Sequence, residues 1–269
     1  MNTEAFVVTI EVVPPVGPDA TKVLDALQAL GELPFYGFSV ATNPVAKPRM
    51  SAMALSTLIR QRTGKPAILH LTTRDHNRLG LQGELWGARA MGIDTVLAAT
   101  GDFVAFKDRQ YTSTVRDADV YELVGMAREA GMHTGVVFDR HPETDGLKRA
   151  VAHLERKVDA GAQFAVTQPV YDEAGADEIA TATRDLGLPV IMGILPLRTP
   201  RHAEFLHTRV AGIAVPEALR KQMREAAAPL AAGVANAREM VSLARSRFAG
   251  ACIMPPFDHY EIMPEILQI

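Results

Sequence analysis

Residues 67–102, AILHLTTRDHNRLGLQGELWGARAMGIDTVLAATGD, decide the fold. A short apolar run at 67–71 leads into a polar turn, an amphipathic segment and a second apolar run at 95–99, the pattern of strand, helix, strand. Both strands end in polar residues. His70, Thr72 and Arg74 close the first, and Thr100, Gly101 and Asp102 close the second. Neighbouring parallel strands with polar groups gathered at one end place a ligand there, because α/β architectures bind at the carboxyl ends of their strands.

Outward from this unit the same period repeats. Residues 6–13 (FVVTIEVV) read as a buried strand stopped by Pro14-Pro15, with Glu11 out of place inside it. A helix over 19–30 carries Val23, Leu27 and Leu30 on one stripe, and residues 36–42 (YGFSVAT) make the next strand. The proline-interrupted loop 43–50 (NPVAKPRM) precedes a helix over 51–61 with Leu55, Leu58 and Ile59 facing inward, ending near Gly64. Downstream, the polar loop 103–116 is long enough to be functional or mobile. Helices over 117–130, 144–160 and, after the PVYD segment 169–172, up to about 186 then alternate with strands at 133–138, 163–168 and 189–194, and a further helix covers 199–207. An alanine-rich helical stretch, 216–248, broken near Pro229 and Gly233, precedes an eighth strand at 250–254 and a closing helix around 260–267. Eight strands alternating with helices in 269 residues predict an α/β fold, a (β/α)8 TIM barrel in a single domain. The rival is a doubly wound open sheet, but no G-x-G-x-x-G follows the first strand.

Composition narrows the partner. With 48% hydrophobic residues and no visible linker, the chain can bury one full core. The formal net charge of −3 and the absence of basic runs give no nucleic-acid footprint, so a small molecule is expected. The one cysteine, Cys252, excludes an intramolecular disulfide and a multi-cysteine metal site, in keeping with a reducing compartment. The first residues carry no basic n-region and no run reaches membrane-spanning length, so the expectation is a cytoplasmic protein without a membrane partner.

In a barrel, the strand ends gather Glu11, Thr42, Asn43, His70, Thr72, Thr100, Asp102, His141, Thr167, Gln168 and Pro196 at a common mouth. An unpaired carboxylate in an apolar strand is costly and answers by raising its pKa, which suits Glu11 to general-acid work near neutral pH. The plainer alternative is a strand-end glutamate reaching solvent. Asp102 reads either as a functional carboxylate or as ordinary Gly-Asp turn chemistry. Gln168, uncharged, would orient or bind a heterocycle edge. His70 is by default a satisfied core histidine, and no second ligand at metal spacing accompanies it, so no metal is expected. Lys157 is by default solvated, while Lys47 and Arg49 are either surface residues or contacts for a phosphate or carboxylate. Cys252, between Ala251 and Ile253, reads as inert packing. No serine nucleophile elbow, P-loop or paired-histidine motif is present.

The ordered series TIEVVPP, SVATNPVAKPRMSAMALSTLIRQRTG, HLTTRDHNRLGLQGELWGARAMGI, VLAATGD, RKVDAGAQFAVTQPVYD, IMGILPL, AEFLH and MPPFDHYE resembles the methylenetetrahydrofolate reductase family. The likeness is greatest to the reductase half of bacterial bifunctional homocysteine methyltransferase/reductase proteins. It covers nearly the whole chain. The resemblance implies a barrel that holds FAD non-covalently, takes hydride from NAD(P)H and reduces 5,10-methylenetetrahydrofolate to 5-methyltetrahydrofolate. On the matching positions, Glu11 is implied as the general acid and Asp102 as the carboxylate that stabilises developing positive charge. Gln168 is implied as the amide that contacts folate and nicotinamide in turn. His70, Thr72, Asp102, His141, Lys157 and Gln168 are implied as cofactor-binding positions. A homo-oligomer is also implied.

Departures from the single-function reductases are Val137 for a tyrosine in strand five, Ala150 and His153 for an aspartate and an asparagine on the next helix, and Pro200 for a substrate-stacking phenylalanine. At strand eight the aromatic-rich motif is replaced by Met254-Pro255-Pro256-Phe257. The alternatives are a reductase-like folate-binding subunit that serves a methyltransferase, and a reductase that passes hydride directly without flavin. A lyase of the same fold is a third, but no Schiff-base lysine stands out at a strand end. Nothing in the sequence separates NADH from NADPH.

Overall fold

The runs on either side of residues 78–90 bury on both faces, as strands of a parallel sheet covered by helices must. In the computed structural model, which describes residues 5–115, 117–140 and 146–268, they are β3 (Ala67–Thr72) and β4 (Thr95–Ala99). The two pair in parallel from Ile68 opposite Thr95 to Thr72 opposite Ala99. The crossover helix between them starts at Asn77, whose side chain accepts the Gly80 N–H.

The unit recurs around a closed barrel. In chain order the elements are β1 (Val7–Val12), α1 (Thr21–Gln28), β2 (Gly37–Val40), α2 (Ala52–Thr63), β3, α3 (Arg78–Ala90), β4, α4 (Val120–Glu129), β5 (His133–Phe138), α5 (Gly146–Asp159) and β6 (Phe164–Pro169). After them come α6 (Glu173–Thr183), β7 (Val190–Ile194), α7 (Pro200–Arg209), α8 (Glu217–Glu225), α9 (Pro229–Arg247), β8 (Gly250–Ile253) and α10 (Met263–Leu267). Each strand pairs with the next, and β8 returns to β1 with Val7 opposite Gly250 and Ile10 opposite Ile253. This is the (β/α)8 barrel that the sequence predicts.

Two layers of core follow from the alternation of each strand. Inward-facing Ile68, Leu97, Phe164, Val166, Ile191 and Cys252 fill the barrel, while a larger cluster seals the strands against the helices. Because the strand period is two, the next inward positions toward the strand C-termini are His70 after Ile68 and Gln168 after Val166. The same parity carries Glu11 from Thr9, which pairs with Cys252. Caps on the mouth side start the helices: Ser51 for α2, Asp119 with Glu122 as a capping box for α4, Asp172 for α6 and Thr199 for α7.

Three local expectations change. Pro229 does mark a break, because it opens α9 as its first residue, but Gly233 lies within α9. A Cβ at Gly233 would stand 1.8 Å from the Leu197 carbonyl oxygen, so the glycine lets α9 press against the segment after β7. Leu58 is 37% exposed and does not face inward; the buried stripe of α2 runs through Leu55 and Ile59, four residues apart, and Leu58 falls off it. The closing helix is shorter than expected, a 3-10 turn at Tyr260–Ile262 preceding α10.

Candidate active site

Glu11 is the one charged side chain of β1, and its group is buried. Burial first, and the nearby Asp102 charge second, push its carboxyl from 4.5 up to about 7. A group with that value is protonated for part of the population at neutral pH and can give up its proton there. Ser39, opposite Glu11 in the β1–β2 register, bonds through Oγ to Nε2 of His70 at 2.7 Å. Burial pulls His70 down to about 4, which leaves its imidazole neutral. Its backbone carbonyl accepts the Thr42 hydroxyl. The His70 ring thus finds its partner in the Ser39 side chain rather than in a backbone group.

The loops after β2, β3 and β4 are joined by a buried ion pair. Arg74, 3% exposed, donates from Nε to Asp75 Oδ1 at 2.6 Å and from Nη2 to Oδ2 at 2.7 Å. Further donations from Arg74 reach the Asp102 carbonyl at 3.2 Å and the Asn43 carbonyl at 3.1 Å. Thr72 and Asn43 each donate to Asp75 Oδ2 at 3.1 Å. Burial works to raise the Asp75 pKa, but these donors outweigh it and hold the carboxyl below its ordinary range. Thr72 thus gives its hydroxyl proton to Asp75.

Asp102 is exposed, and its orientation comes from a strained neighbour. Asn43, Val45 and Ala46 sit at φ 41°, 50° and 53°, a region costly for non-glycine residues and most of all for a β-branched one. In that conformation the Val45 N–H donates to Asp102 Oδ2 at 2.5 Å. Lys47 of the same loop pairs with Asp108 at 2.7 Å, tying it to the long loop after β4, which exposes Phe103, Phe106 and Tyr111.

Across the mouth, a register shift between Val166 and Pro169 bends β6 beside Gln168. The Gln168 amide donates to Asp139 Oδ1 at 3.3 Å. Thr167 bonds instead to backbone, accepting the Gly193 N–H at 2.9 Å and donating to the Gln168 carbonyl at 2.7 Å, so it supports the strand ends. Lys157 is not the solvated lysine that its sequence position suggests. Its ammonium donates to the Val137 carbonyl at 2.6 Å, and burial lowers its pKa against the opposing pull of Asp139. His141 lies outside the described residues.

The far rim is formed after β8. Phe257 is 71% exposed at φ 53°, with its ring 5.4 Å from that of His202 and 5.8 Å from the Arg198 guanidinium carbon. Tyr260, buried behind it, donates to Asp258 at 3.4 Å, and its pKa is raised by burial first and by neighbouring carboxylates, Glu11 among them. Cys252 is buried and pushed up to about 12, mainly by burial, in line with inert packing.

The structure therefore brings Glu11 and Asp102 within electrostatic reach, and it sets the Gln168 amide at the end of β6 and the Lys157 ammonium, reaching from α5 to the Val137 carbonyl of β5, both within reach of Asp139. The pairing of Arg74 with Asp75, the Val45 amide, Asp139 and Tyr260 are parts of the site that sequence reasoning missed, although Arg74 itself stands out as a polar residue closing its strand. Of these only Arg74-Asp75 left a signal, two opposite charges directly after a buried run. Among the described residues no group of histidine, cysteine or carboxylate side chains suits a metal ion, and no helix is long and apolar enough to cross a membrane.

A dinucleotide cofactor needs donors for carbonyl and phosphate oxygens, and the mouth has them to spare. The buried Arg49 Nε, in the loop after β2, has no partner among the described residues. The Lys157 ammonium has three N–H groups, of which the Val137 carbonyl takes one. On that test the residues fit FAD.

The family profile described as methylenetetrahydrofolate reductase matches residues 1–247. "Probable methylenetetrahydrofolate reductase (NADPH)" of Caenorhabditis elegans is 26% identical over 153 residues, 55% of this chain and 23% of that one. "Methylenetetrahydrofolate reductase (NADH) 1" of Arabidopsis thaliana is 30% identical over 146 residues, 48% of this chain and 25% of that one. The chain spans less than half the length of either relative. Among solved structures, a Clostridium thermocellum protein described as binding two copies of 5-methyl-5,6,7,8-tetrahydrofolic acid superposes with a TM-score of 0.68 at 15% identity, covering 99% of this chain and 94% of that one. At that identity the likeness shows a shared fold.

Proposed function

The chain belongs to the methylenetetrahydrofolate reductase family, and from that premise we propose that it reduces 5,10-methylenetetrahydrofolate to 5-methyltetrahydrofolate, with reduced nicotinamide as hydride source and FAD as non-covalent carrier. In this reading the 269 residues act as one reductase domain. The observation that carries it is Glu11, a buried carboxyl that stays partly protonated at neutral pH beside the Asp102 carboxylate.

Glu11 gives its proton to the departing nitrogen of the substrate's five-membered ring, and the ring opens to a methylene iminium cation. Asp102, held by the Val45 amide, places negative charge beside that cation without having to reorient during the reaction. Hydride adds to the methylene carbon and completes the methyl group, and solvent returns a proton to Glu11. When bound, FAD supplies the two-electron carrier between nicotinamide and folate. Arg49, Lys157 and Gln168 would hold it, with Asp139 orienting the Gln168 amide. Phe257 offers the aromatic face that the segment after β7 lacks at Pro200, and Arg198 beside it suits the anionic tail of a folate.

Glu11→Gln removes the proton and keeps the shape. Folate reduction should fall by roughly 10²- to 10⁴-fold, the usual worth of a general acid, while oxidation of reduced nicotinamide by an artificial acceptor persists. If folate reduction survives in the variant, Glu11 is not the acid. If the wild-type chain binds methyltetrahydrofolate in calorimetry but turns over no methylenetetrahydrofolate, it is a folate-binding subunit.

A further inference from the structure

Helix α3 is apolar on two opposite faces. Leu81, Leu85 and Ala88 turn toward the barrel and are buried. On the outer side Leu79, Gly83, Trp86 and Ala90 form a second stripe, and all four are exposed. A helix that covers a core ordinarily carries polar and charged residues on its outer face. Here Leu79 is 83% exposed and Trp86, the single tryptophan of the chain, 63%. Met91, half exposed at the end of α3, accepts the Thr57 hydroxyl of α2 on its sulfur and carries the apolar surface toward Leu58. The stripe itself holds no charge. On its rim Arg78 pairs with Glu122 and Arg89 with Asp94, so covering it buries no unpaired charge.

The spacing indicates what covers it. The steps from Leu79 to Gly83 to Trp86 to Ala90 are four, three and four residues, the seam of packed helix pairs. That series is the same read from either end, with its midpoint between Glu84 and Leu85. A second α3 laid antiparallel on the first therefore sets Trp86 against Gly83 and Leu79 against Ala90, large against small at each level. A two-fold interface requires such self-complementarity, because one patch serves both copies. Gly83 has no reason within its own chain to lack a side chain: a Cβ there meets nothing within 4 Å, and glycine inside a helix is destabilising. Opposite Trp86 it becomes the hole for that knob. The exposed apolar residues leave on the order of 500 Å² open, and the arginine stems on the rim bring the face to roughly the 800 Å² that each partner of a stable dimer buries.

We propose that the outer face of α3 is a two-fold interface between two copies of this chain, packed antiparallel with Trp86 of each copy seated on Gly83 of the other.

Sedimentation equilibrium on the full chain should give twice the 29.1 kDa chain mass at micromolar concentration. Trp86 emission reports on this face alone, because no other tryptophan contributes. It should shift to the blue over the same concentrations at which the mass doubles. Leu79→Lys, which puts a charge on an exposed position, should stay monomeric and keep the emission of a solvent-exposed indole throughout. Gly83→Leu, whose Cβ meets no atom of its own chain within 4 Å, should fold at least as stably and weaken the dimer about tenfold or more by filling the hole. A chain that stays monomeric overturns the assignment, and so does a dimer whose mass and emission are indifferent to both substitutions. Neither readout involves turnover, so the outcome is separate from that of the reductase reading.

Discussion

Burial raises the Glu11 carboxyl from 4.5 to about 7, with the Asp102 charge adding to the rise. Between those values the folded chain keeps a proton that the unfolded chain has released, so this group's contribution is intact below pH 4.5 and is lost as pH climbs to about 7. The shift corresponds to about 3 kcal/mol. His70 works in the opposite sense. Its folded value of about 4 lies below the ordinary 6.5, so its contribution is complete above 6.5 and lost as pH falls toward 4. The two slopes oppose each other where the windows overlap. Glu11→Gln should therefore match the wild type in stability near pH 4.5 and exceed it by up to about 3 kcal/mol at pH 8, as read by urea unfolding. A gap that does not change with pH would mean that the carboxyl is not held protonated. Glu11 could be singled out from sequence because a charge interrupts an apolar run. The strained Val45 amide that orients Asp102 could not, since φ is set by the surrounding loops and Asn-Pro-Val-Ala looks like an ordinary turn.

At the scale of elements, backbone approach explains both a correction and a contrast. Gly233→Ala in α9 would drive a methyl into the Leu197 carbonyl oxygen, an atom fixed by the backbone, whereas Gly83 in α3 has nothing within 4 Å of the Cβ position. The first substitution should cost about 2–4 kcal/mol by overpacking, and Gly83→Ala should add about 0.5–1 kcal/mol by helix propensity. Chemical denaturation of the two variants separates them, and a neutral Gly233→Ala would contradict the close packing of α9. Strands and helices were readable from period and punctuation, because β-strands of two-sided burial and amphipathic helices leave opposite patterns. The reach of one element to another left none. Gly233 looked like a helix break, Lys157 looked solvated, and the Arg74–Asp75 pair that binds three loops was visible only as two adjacent charges.

For the whole molecule, the closed ring of strands turns residues scattered from Glu11 to Gln168 into one mouth. The closed barrel followed from the alternation of elements. The proposed roles of Glu11, Asp102 and Gln168 come from family resemblance; what the structure shows at those positions is a desolvated acid, a carboxylate that accepts the Val45 N–H, and an amide that donates to Asp139. The most direct test is the pH profile of NAD(P)H-dependent 5-methyltetrahydrofolate formation by this chain. Product should form, with a rate that is high below neutrality and declines through a midpoint near pH 7 as Glu11 loses its proton. No product, or a rate flat from pH 6 to 8.5, would contradict it.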